Sequence, residues 1–250
     1  MTLDTRSDQN AQVGEDAGVV RFLCSPDMEE SLPKPQPAGR FTPDWMRNLP
    51  REMGMPGADG LPALTVKACM PVTDAFAAGW IFSLAKTVFI EADTHGQVLY
   101  QDDPTAGFEQ ITRHHPGQIG GPNPPFGHAH PLKWTLPWRV AAPQGVSLMF
   151  TQPLNHFELP FQNFTGIVDA DRFAARVNAP FLWRGGAGRF ALPAGMPIVQ
   201  VVPIGRAALG LKADMRAATA QETEEEAEHT RLKYSVESVY SRQFRARRRI

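Results

Sequence analysis

Between Gly166 and Pro203 the sequence reads as strand, turn, strand, turn, strand. Gly166-Ile-Val runs into the acidic corner Asp169-Ala-Asp171, Val177 to Phe181 resumes the apolar pattern, and Leu192-Pro-Ala-Gly-Met-Pro leads into Ile198-Val-Gln-Val-Val202. Glycine and proline mark the turns, and β-branched residues fill the runs between them, which commits such a chain to β structure. The same punctuation extends through the middle of the chain: 23 prolines and 21 glycines in 250 residues favour many short strands over long helices. At 42% hydrophobic and 20% charged, the chain can bury a full core.

Strands are expected at Val19–Cys24, Leu64–Met70, Trp80–Leu84, Thr87–Ala92, Gln97–Tyr100, Trp138–Ala142, Val146–Phe150, Phe164–Val168, Phe181–Trp183, Arg189–Leu192 and Ile198–Val202. Asp93-Thr-His-Gly96 is a hairpin turn. Pro43 to Leu49 predicts one helical turn with Trp45 and Leu49 packed inward, and Thr112 to Pro131 is a long Gly/Pro/His-rich loop. Ala213 to Arg249 lacks proline and glycine, starts acidic (Glu222 to Glu228) and ends basic (Arg242 to Arg249), the polarity a helix dipole favours. Leu232, Val236, Val239 and Tyr240 would form its packing face. The organisation expected is a disordered tail over 1–18, a β domain over 19–208 and a charged helical segment over 209–250.

A net charge of −1 argues against a globally basic nucleic-acid binder. No apolar run reaches the length of a membrane span, and the polar start lacks a signal-type segment, so a cytoplasmic protein is expected. Cys24 and Cys69 are too few for a disulfide scaffold and read as free thiols, with Cys69 a buried inert one.

Four ordered motifs, Asp74-Ala-Phe-Ala-Ala-Gly-Trp80, Pro143-Gln-Gly-Val-Ser147, Gly166-Ile-Val-Asp-Ala-Asp171 and Pro193-Ala-Gly-Met-Pro-Ile-Val-Gln200, resemble those of the dUTPase and dCTP deaminase superfamily. More closely, Phe22 to Arg206, with Pro43-Asp-Trp45, Cys69 to Trp80, Lys133 to Trp138 and Gly166 to Asp171, resembles a bacterial and phage domain family with no assigned activity. The distant resemblance implies a dUTPase-like β-clip or distorted barrel, assembled as a homotrimer with sites between subunits; the charged segment adds a C-terminal helical appendage where the family has a Gly-rich phosphate-closing tail. The resemblance implies that Asp169 stands where the family's carboxylate activates water, a role a strand-end carboxylate can fill as general base. It also places Gln200 where the family's glutamine reaches phosphates. Asp171 and Lys133 join them as ligand contacts, the lysine for an anionic small molecule. Asp169 and Asp171, two apart on an extended segment, face one way and suit a shared divalent cation such as Mg. The family's Arg-Ser-Gly phosphate segment is replaced by Phe150-Thr-Gln-Pro-Leu-Asn155, its Asp by Ile81 and its sugar-stacking Tyr by Arg172-Phe173, which argues against a true dUTPase.

Two further readings stay open. His128-Ala-His130 has one-metal spacing, and with His115 it would give a mononuclear Fe or Zn enzyme of cupin type, hydrolytic or oxidative, with His156, Asp169 or Asp171 arriving through the fold. Alternatively the chain is a noncatalytic oligomeric module whose strand motifs hold only the scaffold.

Overall fold

The computed structural model describes residues 18–57, 62–121, 125–126, 130–173, 175–235 and 245–246. The expected tail up to residue 17, His128, and Val236, Val239 and Tyr240 of the expected helix face lie outside the described residues. The chain divides into two units, Met1–Leu209 and Gly210–Ile250.

The first unit is built from short antiparallel strands, and the mainly β expectation holds. A five-stranded sheet runs in the order Gly166–Val168, Val146–Thr151, Pro197–Gly205, Trp80–Ser83, Gln36–Pro37. A four-stranded sheet runs Phe161–Asn163, Asn178–Trp183, Leu132–Thr135, Ile111–Arg113, and a three-stranded one Gly188–Leu192, Val88–Ala92, Val98–Gln101. Two strand pairs, Arg21–Leu23 with Arg139–Ala141 and Glu52–Pro56 with Pro62–Leu64, complete it.

Alternation explains the burial. Val88, Ile90 and Ala92 point into the core while Phe89 and Glu91 of the same strand face out. The inward residues of the sheets meet in one cluster whose largest members include Trp134 and Phe181, stacked with ring centres 4.0 Å apart. Burying each such side chain contributes about 1.5–3 kcal/mol. Trp134 Nε1 donates to Asn163 Oδ1 at 3.0 Å, and Asn163 Nδ2 donates to the Ile198 carbonyl at 2.6 Å, so the four-stranded and five-stranded sheets are tied through polar groups that are themselves satisfied.

Three local expectations are corrected. Leu64 to Met70 is not a continuous strand: the strand ends at Leu64, a 3-10 turn spans Val66–Ala68, and a helix runs Met70–Phe76 with Pro71 in its first turn, where a missing N–H costs nothing. The helix Asp44–Asn48 buries Met46 (4% exposed), while Trp45 is 36% exposed. Cys69 precedes the Met70 helix and is exposed rather than buried; Cys24 and Cys69 are both free.

In the second unit a helix spans Ala220–Ser235. It opens on a capping box: Thr219 Oγ1 accepts the Glu222 N–H at 3.2 Å, and Glu222 Oε2 accepts the Thr219 N–H at 2.7 Å. Arg216 adds two more bonds to Glu222, and together these hold that carboxyl at a pKa of about 2. No helix among the described residues is long and apolar enough to cross a membrane.

Candidate functional site

The strand-end aspartates converge on a residue the sequence reading passed over. Strand Val146–Thr151 pairs with Gly166–Val168 on one side and Pro197–Gly205 on the other, with Val146 opposite Gly205, so Asp169, Ser147 and Arg206 reach one corner of the sheet. Asp169 Oδ1 accepts the Ser147 hydroxyl at 2.6 Å and Arg206 Nε at 3.1 Å. Arg206 Nη2 pairs with Asp171 Oδ1, whose second oxygen accepts the Gly145 N–H at 3.0 Å. The cation shared by the two carboxylates is therefore a guanidinium.

The Ser147 hydrogen bond first, and then Arg206, hold Asp169 below its ordinary value of 3.8. Arg206 first, and then the Gly145 N–H, do the same for Asp171. A carboxylate stabilised in this way is a weak proton acceptor, and the geometry reads as a clasp. Because both folded-state values lie below the unfolded ones, the clasp stabilises the fold above about pH 4 and that contribution is lost as pH falls through the lowered values. Arg206→Met is therefore expected to flatten the fall in urea midpoint between about pH 5 and about pH 2. A variant as steeply acid-sensitive as the wild type would remove the clasp as the cause.

Gln200 is buried, 1% exposed, with its amide fully engaged inside the protein. Its Oε1 accepts the Leu154 N–H at 2.7 Å, and its Nε2 donates to the carbonyls of Ala75 at 3.1 Å and Ala78 at 2.7 Å. It thus satisfies carbonyls at the end of the Met70–Phe76 helix and anchors the loop that follows Thr151. This spends the side chain the phosphate reading requires.

Lys133 stands in the four-stranded sheet opposite Thr112 and Pro180, whereas Gln200 and the Ser147 strand belong to the five-stranded one; no bond among the described residues joins Lys133 to Asp169, Asp171 or Gln200. His115 Nδ1 accepts the Gly117 N–H at 3.1 Å, and its own N–H is capped by Gln118, so it begins a 3-10 turn. His130 is half-buried, His128 lies outside the described residues, and among the described residues no three His, Cys, Asp or Glu groups are placed to hold a metal ion.

The loop Gln200 anchors carries a group of a different kind. Asn155 adopts φ +61°, the one non-glycine residue in the left-handed region among the described residues, and the next residue, His156, turns into the protein. Residues held this way concentrate at functional positions. The His156 side chain is only 3% exposed, and its Nδ1 lies 2.9 Å from Glu158 Oε1. Facing a carboxylate, Nδ1 carries the proton of the neutral ring, which leaves Nε2 as the lone-pair nitrogen. Phe76 packs edge-on against the imidazole with centres 5.9 Å apart, and Trp45 links Phe76 to Phe157, which is 80% exposed.

His156 and Glu158 border an open cleft of about 710 Å³ with Arg40, Trp45, Arg47 and Met196 on its walls. Arg40 Nη1 bonds to Gln36 Oε1 at 2.7 Å, and Arg47 Nη2 to Asp44 Oδ1 at 2.5 Å, so both guanidiniums are steered without being buried. A proton acceptor, an aromatic face and two guanidiniums, that of Arg47 offset by Asp44, surround one cavity and suit a molecule of modest size carrying a negative charge near Arg40. The sequence signals were His156-Phe-Glu158 and the aromatic-basic run Trp45-Met-Arg47, but nothing in their spacing joins them.

No family model matches the chain, and no curated protein matches it. Among solved structures, a point mutant of the dUTPase from phage phi11 of S. aureus aligns with a TM-score of 0.31 at 10% identity, over 57% of this chain and 83% of that one. That dUTPase coordinates a structural Mg(II) ion. A likeness of that degree carries no argument about activity, and the site stands on its own geometry.

Proposed function

We propose that the protein is a small-molecule-binding enzyme on a β-clip-like scaffold, acting on an anionic substrate in the Arg40–Trp45–His156 cleft, with His156 as the proton acceptor. The observation that carries this is the buried imidazole, paired with Glu158 and bordering a cavity lined by Arg40 and Arg47. The chemistry that fits is hydrolytic. His156 Nε2 takes the proton of a water whose oxygen attacks the substrate's electrophilic centre, Glu158 stabilises the imidazolium formed, and the same proton passes to the leaving group as its bond breaks. Arg40 and Arg47 hold the substrate's negative charge, and Trp45 offers a face for its apolar part. The motif residues Asp169 and Gln200 serve the scaffold in this reading, one in the Arg206 clasp and the other beneath the His156 loop.

A panel of anionic esters, amides and phosphate esters tests this. Turnover of at least one class is expected, with His156→Gln about 100-fold or more slower and Glu158→Gln, a positioning change, less so and with an altered pH profile. Turnover untouched by His156→Gln would overturn the assignment. A second reading, a noncatalytic module, is favoured by the structural use of Asp169 and Gln200; it requires that no member of the panel is turned over.

A further inference from the structure

The helix Asp44–Asn48 borders a second open cleft, of about 610 Å³, lined by Thr42, Met46, Arg47, Arg51, Lys67 and Thr73. It shares Thr42 and Arg47 with the His156 cleft. Three side chains of its lining are cationic and none is a carboxylate. Asp44, paired with Arg47, offsets one charge and leaves two. Lys67 Nζ is fixed by one bond to the Arg47 carbonyl at 2.6 Å, and the Arg51 carbonyl accepts the Thr65 N–H at 2.9 Å while its guanidinium makes no side-chain bond among the described residues. Both threonine hydroxyls donate to backbone carbonyls, Thr42 to Gly39 and Thr73 to Cys69, so recognition falls to the cations.

Like charges gathered on one cavity repel one another, and that repulsion is relieved when an anion of matching charge enters. We propose that this groove is a binding site for the doubly charged phosphoryl group of a small molecule, held by Arg51, Lys67 and Arg47. Guanidinium forks meet tetrahedral oxyanions with paired N–H donors, and the lysine ammonium adds a point charge. Because Arg47 and Thr42 belong to both clefts, a ligand phosphorylated at one end would place its other end beside His156. That extension rests on the hydrolytic reading above, but the phosphoryl site itself does not.

Calorimetric titration of the full chain with inorganic phosphate at fixed ionic strength, paired with amide-shift mapping, tests the site without any turnover. Saturable binding is expected, with shifts at residues 42–51 and 67–73 and a loss of about tenfold or more in affinity for both Arg51→Ala/Lys67→Ala and the charge-reversing Arg51→Glu. Both variants change exposed or half-buried side chains, and circular dichroism checks their folds. Absence of saturable binding, or equal affinity in the variants, would overturn the site while leaving the His156 assignment to its own assay. Tight binding of a single-stranded oligonucleotide with inorganic phosphate inert would also overturn it, as a nucleic-acid groove.

Discussion

Gly79→Ala is expected to abolish the fold, or to cost upward of about 4 kcal/mol where any folded protein survives. Gly79 sits between the Met70–Phe76 helix and strand Trp80–Ser83 with φ +69°, and a Cβ there would lie 1.9 Å from the Val201 carbonyl oxygen. That oxygen belongs to strand Pro197–Gly205, which pairs directly with Trp80–Ser83, so neither backbone can move aside without breaking the ladder. Gly195→Ala is the control. Its φ is +83°, but nothing lies within 4 Å of the added carbon, so strain alone applies and about 1–2 kcal/mol is expected. Thermal melts of the two variants separate close approach from strain, and equal losses would contradict the packing argument.

Gln200→Leu should cost about 3 kcal/mol, because it strands the Leu154 N–H and removes a partner from the carbonyls of Ala75 and Ala78 in a position 1% exposed to solvent. For a domain of this size that is a fall of about 10 °C in melting temperature. Leu154 lies two residues before His156, and Phe76, which packs on the imidazole, ends the helix whose carbonyls Gln200 caps. Any activity should therefore fall further than stability explains at a temperature where the variant is still folded. Unchanged activity in folded Gln200→Leu would separate the brace from the site.

Strands whose chemistry is local were legible, whereas Ile111–Arg113, Leu132–Thr135 and Phe161–Asn163 of the four-stranded sheet lie outside the expected ones. Val88–Ala92 alternates residue by residue, and Asp93 closes its turn by accepting the N–H groups of His95 and Gln97. The helix Met70–Phe76 was hidden because Leu64-Thr-Val-Lys-Ala-Cys-Met70 alternates like a strand, while Pro71, the true start signal, reads equally as a break. The candidate site was legible only in pieces. Asp169 and Asp171 announced an acidic corner, but the identity of their cation, Arg206, depends on the pairing of Val146 with Gly205 across 59 residues of sequence. Gln200 announced a polar group needing partners, and those partners are backbone atoms of two distant segments that no side-chain pattern encodes. The His156 cleft draws on three separate regions, around Arg40 to Arg47, His156 to Leu159 and Pro193 to Pro197, so its chemistry exists only after folding.

The most direct test of the central claim is the nitrogen spectrum of His156 in protein labelled with ¹⁵N-histidine, recorded across pH with and without a substrate-like phosphate ester. The account predicts that the neutral ring carries its proton on Nδ1, bound to Glu158, with Nε2 free as the acceptor, and that the ester shifts Nε2. A neutral ring protonated on Nε2, or a resonance indifferent to every anionic ligand that binds, would contradict it.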